Sequence, residues 1–196
     1  MSLRSKEKLQ SLLRAANDGE TEDVDRIILE ETNGSGLKLL INGVNKKGSS
    51  ALILASKAGH EPVVDSLIRA GASVNIQNRH KSTALMFASA KGHRPIVDSL
   101  IRVRAKVNLQ TTVGDTALIF ASESGHGTIV DSLIRAGASV DLCNNDGSSP
   151  LSFAADKGFA SIVEALILAG ASVDHQTKDG NCNFNPKINL LIFYKY

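Results

Sequence analysis

The chain has 196 residues, 42% of them hydrophobic and 21% charged, with no Trp and a net charge of +2. This composition excludes a disordered or fibrous chain and suits one compact domain or one repeat array. Cys143 and Cys182 are too few for a disulfide framework, no charged-then-apolar leader with a cleavage site opens the chain at Met1, and no apolar run reaches the ~18 residues of a membrane span. The expectation is a reduced, soluble, cytoplasmic protein, with the nucleus also open to it.

From the N-terminus, residues 1–45 read as a degenerate capping unit, with LLRAANDGE from Leu12 as its core and Ile41-Asn42 in phase with Val74-Asn75. An insertion around Thr32 to Leu40 breaks the phase, and its Asn-Gly-Ser-Gly core predicts a loop. Four regular units follow, 46–78, 79–111, 112–144 and 145–177. Their period is fixed by Gly59-His60, Gly92-His93, Gly125-His126 and Gly158-Phe159, which recur every 33 residues. A fixed period of that size means stacked supersecondary units.

Within a unit, Thr83 and its equivalents Ser50, Thr116 and Ser149 are predicted N-caps of a first short helix, which Gly92 ends in a left-handed conformation. A second helix starts at Pro95, or at Pro62 one unit earlier, where a missing N–H is harmless. It places Ile96, Val97, Leu100 and Ile101 on one face. Asp98 and Arg102, like Asp65 with Arg69 and Asp131 with Arg135, are spaced for an i,i+4 pair. Ordering 33 residues costs on the order of 50 kcal/mol, more than one helix pair recovers alone, so the units must stack. Leu54, Phe87, Phe120 and Phe153 are expected to form one internal ladder, and Leu67, Leu100, Leu133 and Leu166 another.

The first helices open with SALILA at Ser50, TALMFA at Thr83, TALIFA at Thr116 and SPLSFA at Ser149. With the period, these segments make residues 46–177 resemble the ankyrin-repeat family, whose unit is a β-turn and two antiparallel helices with a T-P-L-H-x-A pattern. The resemblance implies an all-α solenoid of about five repeats, built from helix-turn-helix units joined by β-hairpin loops. The pattern's His is replaced by Ile53, Met86, Ile119 and Ser152, which puts the hydrogen bonding at each helix start in question. The resemblance also implies that Asn75 and Asn108 occupy a position open to an asparaginyl hydroxylase, with Asp141 and Asp174 there later. The plainer role of such an Asn is to bond its own hairpin.

Nothing in the chain marks catalysis. No phosphate-binding G-x-x-x-x-G-K-S/T, no G-x-S-x-G and no zinc-spaced Cys pair occurs. His60, His93 and His126 sit one unit apart, whereas helices pack at roughly 8–10 Å and zinc bonds are about 2 Å long. They therefore read as braces for the turn before the second helix, and no metal, cofactor or small-molecule substrate is expected.

The function expected is a monomeric, non-catalytic scaffold for another protein bearing an acidic segment. By the resemblance, hairpin tips and the exposed face of the first helix carry the contacts: Lys46, Lys47, Ser49 and Lys57; Arg79, His80, Ser82 and Lys91; Thr112, Val113, Asp115 and Glu123; Asn145, Asp146, Ser148, Asp156 and Lys157. These vary while the frame repeats. Unit 79–111 holds seven cations (Arg79, Lys81, Lys91, Arg94, Arg102, Arg104, Lys106) against Asp98 alone. Lys81 and Arg104 stand where other units have the turn glycines, and with Arg79 and Lys106 they suggest an electropositive girdle across a strained unit. One alternative is an anionic ligand, nucleic acid or acidic lipid headgroups, held by that unit; single-stranded nucleic acid is disfavoured if the Phe ladder is internal. Another is a targeting fragment of a larger enzyme or channel. Residues 178–196 begin a sixth unit at Lys178-Asp179-Gly180-Asn181, abandon it from Cys182 and hold half of the eight aromatics, reading as a divergent cap or the end of a truncated or alternatively spliced frame.

Overall fold

The computed structural model describes residues 3–31 and 34–173, which contain eleven helices. The tail from 178, Cys182 and Asp174 lie outside the described residues. Helices α1 (Leu3–Asp18), α4 (Ala51–Ala58), α6 (Ala84–Lys91), α8 (Ala117–Glu123) and α10 (Pro150–Lys157) stack into one layer. Helices α2 (Thr21–Leu29), α5 (Glu61–Arg69), α7 (Arg94–Arg102), α9 (Gly127–Arg135) and α11 (Ala160–Leu168) stack into a second, outer layer. Each first-layer helix packs on the second-layer helix that follows it, so the core is a continuous slab between layers.

The sequence builds each pair in the same way. Ser50, Thr83, Thr116 and Ser149 accept the N–H three residues on, at 3.4, 3.3, 3.1 and 3.1 Å. Where the family pattern has His, Ser152 Oγ accepts the Ser149 N–H at 2.9 Å and Met86 Sδ the Thr83 N–H at 3.4 Å; Ile53 and Ile119 have no group for that task. Leu67, Leu100, Leu133 and Leu166 are fully buried, as expected. Pro62 and Pro95 sit in the first turns of α5 and α7.

Three expectations need correction. The stretch expected as a loop contains helix α3 (Gly34–Ile41), because Leu37, Leu40 and Ile41 have helical spacing and bury Leu40 and Ile41, outweighing the Gly-Ser signal. The Leu54, Phe87, Phe120 and Phe153 row is only half-buried, lying at the surface of the first-helix layer rather than inside. Asp98 pairs with Arg94 at 3.5 Å, not with Arg102, and Arg69 donates to Ser66 Oγ at 3.2 Å.

The units are joined by three recurring contacts. The rings of His60, His93, His126 and Phe159 cover Gly19, Gly59, Gly92 and Gly125 of the preceding pair, so closely that a Cβ there would lie 2.6–2.7 Å from them. Hairpin tips bond in sequence, Arg79 N–H to Lys47 O, Thr112 N–H to His80 O and Asn145 N–H to Val113 O, at 3.1, 3.0 and 2.9 Å. Asn42, Asn75, Asn108 and Asp141 accept the N–H groups of Ser73, Lys106, Ser139 and Ser172 at 2.8–2.9 Å.

Candidate functional site

Each hairpin tip is a four-residue turn held by its own first residue. Asn45 O accepts the Gly48 N–H, while Asn45 Oδ1 accepts the N–H groups of Lys47 and Ser49. Asn78 and Asn144 repeat that pattern, and Thr111 uses its hydroxyl for Asp115 N–H. With the backbone so occupied, the two central residues point outward. Lys46, Lys47, Arg79, His80, Thr112, Val113, Asn145 and Asp146 are all exposed.

The third contact position is different. Ser49 is 7% exposed, turned toward the start of α4, and presents nothing to a partner; its equivalents Ser82, Asp115 and Ser148 are half-buried. Asp115 is engaged by Asn144 Nδ2 at 3.0 Å. On the first helices Lys57, Lys91, Asp156 and Lys157 are exposed and Glu123 is half-buried. Lys57 Nζ lies 5.6 Å from the centre of the Phe87 ring, within cation–π range. The first-helix face therefore carries charged groups beside an apolar row that type alone had assigned to the interior.

Lys81 and Arg104 are the described non-glycine residues with positive φ, 57° and 63°. Arg104 completes the same helix stop as Gly71, Gly137 and Gly170: its N–H reaches Ile101 O at 2.9 Å, and Ala105 N–H reaches Leu100 O at 3.0 Å. A side chain in this region costs roughly 1 kcal/mol. At the hairpin position a Cβ on Gly48 or Gly114 would lie 2.9 or 2.8 Å from the next hairpin, and Lys81 carries such a Cβ there. The expected girdle falls on two parts of the repeat, Arg79 and Lys81 at the hairpin tip, Arg104 and Lys106 in the loop after α7.

The histidines brace neighbouring units. His60 Nε2 lies 3.0 Å from Asn17 O, and His126 Nε2 lies 3.3 Å from Ala90 O. Among the described residues no three His, Cys, Asp or Glu side chains are grouped to hold a metal, and no helix is long and apolar enough to cross a membrane. Burial, and then the charge of Asp141, pushes the Cys143 thiol above its ordinary range, which disfavours the nucleophilic thiolate. Asn75 and Asn108 bond the following unit rather than their own hairpins, contrary to the plainer role expected for them.

Stacked helix pairs with projecting hairpins, a repeating frame and variable exposed positions define a repeat solenoid of the interaction type. The family model described as ankyrin repeats (3 copies) matches residues 12–111 and again 85–177, and the chain belongs to that family. No curated protein matches it. Ankyrin repeats are in general modules for protein–protein interaction and are typically non-catalytic.

Proposed function

We propose that the chain is a non-catalytic scaffold that holds a partner protein's acidic segment against its hairpin tips and first-helix face. The observation carrying this reading is the division of labour within each unit: caps, leucines and joints repeat, while Lys46, Lys47, Lys57, Arg79, His80 and Lys91 stand exposed at positions that vary. The half-buried Phe87, Phe120 and Phe153 add apolar contact beside these cations. Affinity capture from cell extract in graded salt tests it, comparing wild type with Lys47→Glu/Arg79→Glu/Lys91→Glu. Partners should be lost from the variant and should weaken as salt rises, since exposed charges are screened over about 8 Å at physiological ionic strength. Unchanged capture by the variant would remove the cationic surface from the reading.

An anionic ligand is the second reading, and the half-buried Phe row favours it, because bases stack on accessible rings. Glu123 and Asp156 on the same face oppose a phosphate backbone. Displacement of the captured partner by single-stranded oligonucleotide or acidic vesicles would shift the reading to that class.

A further inference from the structure

We propose that the outer face of unit 79–111, at the groove between α7 and α9, is a second docking surface, fitted to an acidic protein segment with aliphatic side chains between its carboxylates. The groove is shallow and open, with a volume of about 360 Å³, and is lined by Arg94, Asp98, Ile101, Arg102, Arg135 and Ala136 among others. It belongs to the second helix layer, apart from the hairpin tips and first-helix face.

The first argument is charge left over. Arg94 Nε occupies the Asp98 carboxylate at 3.5 Å. No described carboxylate pairs with Arg102 or Arg135. Both guanidinium groups are exposed, beside an aliphatic floor of Ile101 and Ala136. The guanidinium fork takes a carboxylate through two parallel hydrogen bonds, so the pair is shaped for carboxylates rather than merely positive.

The second argument is that this unit's own cations stand where local structure opposes them. Arg94 occupies the first turn of α7, where α5 has Glu61 and α9 has Gly127, and a cation there opposes the helix dipole. Arg104 holds φ at 63° where Gly71 and Gly137 hold 85° and 84°. Lys106 replaces Ser73 and Ser139. Arg69, Arg102 and Arg135 recur as the last helical residues, where a cation suits the dipole and costs the fold nothing. Arg94 is balanced by Asp98 instead of by the dipole, while Arg104, just past the end of α7, adds positive charge next to Arg102 in the chain. Local rules broken within one unit, at Arg94 in the groove and at Arg104 and Lys106 beyond the end of α7, point to binding on this unit.

An isolated phosphate fits poorly. Arg102 and Arg135 end their helices, where free carbonyls rather than free N–H groups face outward, so a small anion finds no backbone cradle. A segment bearing several carboxylates gathers both forks and covers the aliphatic floor.

The test uses the full chain and a fluorescein-labelled peptide of alternating Glu and Leu, followed by anisotropy at two salt concentrations. Arg102→Glu/Arg135→Glu should weaken binding roughly tenfold or more, Arg102→Lys/Arg135→Lys should weaken it less, and a Gln-for-Glu peptide should not bind. Lys46→Glu/Lys47→Glu/Lys91→Glu, which alters the surface of the proposed function, should weaken this peptide's binding clearly less than Arg102→Glu/Arg135→Glu does. Equal binding by wild type and Arg102→Glu/Arg135→Glu would overturn the proposal, as would equal loss in the hairpin variant. Binding of phosphatidylserine vesicles but not the peptide, with the same dependence on Arg102 and Arg135, would overturn it in favour of a membrane surface. Should the charge-reversed variant lose its helical signal, Arg102→Gln/Arg135→Gln carries the same comparison.

Discussion

Asn75 Oδ1 accepts the Lys106 N–H at 2.8 Å, so the residue that leads into one hairpin also fastens the loop of the next helix pair. Asn108 does the same for Ser139, and Asp141 for Ser172 at 2.9 Å. Asn108→Ala should therefore lower stability by about 1 kcal/mol, the net worth of an ordinary hydrogen bond. Asn108→Asp should cost less than Asn108→Ala, because it keeps the bond from Ser139 as Asp141 does for Ser172, while giving up the one that Asn108 Nδ2 donates to Gly137 O at 3.2 Å. Thermal denaturation of the two variants checks the contrast.

Arg104 and Lys81 pay for positive φ with a Cβ that glycine lacks. Val103→Ala/Arg104→Gly should stabilise by about 1 kcal/mol, raising the melting temperature by roughly 2–4 °C for a chain of this size, and amide exchange across 79–111 should slow. Lys81→Gly should act in the same direction. A variant melting no higher than wild type would show that Arg104 is accommodated without strain.

Glycines of equal φ should differ sharply in their tolerance of a side chain. Gly59 (φ 88°) faces His93, with a Cβ 2.6 Å from its ring, whereas Gly137 (φ 84°) has nothing within 4 Å. Gly137→Ala should cost only the conformational penalty, roughly 1 kcal/mol. Gly59→Ala must also push the ring away and should cost clearly more. Urea midpoints of the two single variants decide it.

Ser56, Ser89 and Ser122 occupy one repeat position, are fully buried, and carry hydroxyls with no hydrogen-bond partner. The fourth unit has Ala155 there. An orphaned buried hydroxyl costs about 1–3 kcal/mol, so Ser89→Ala should stabilise, and the gain should show as a higher denaturant midpoint with an unchanged slope.

The period, the caps and the leucine core were readable from residue types because each role recurs at one position and has one physical cause. Context was harder to read. Ser49 looks like a tip residue, and only the turn around Asn45 reveals that it faces inward. Phe87 and Phe120 are apolar and were assigned to the interior, yet a solenoid one helix pair thick leaves part of each first-layer ring at the surface. Asp98 had a cation four residues to either side, and spacing alone could not choose Arg94 over Arg102. Helix α3 was hidden because Gly34 and Gly36 suggest a turn, while the burial of Leu40 and Ile41 depends on where α1 lies. The Gly-His pairs were visible as a period, but the ring from one unit covering the glycine of the preceding unit is a fact of packing.

That ring-on-glycine joint makes the units interchangeable. Gly59 meets His93, and Gly92 meets His126, in the same way, so excising one whole unit in register would bring Gly59 to His126 without new chemistry. Asn75 would likewise inherit Ser139 in place of Lys106. Gain or loss of a complete unit leaves every seam intact, whereas a change of any other length breaks a ring, a carboxamide and a hairpin bond together. The molecule's reach is thus adjustable in whole steps, and the surface each step adds can diverge while its seams stay the same.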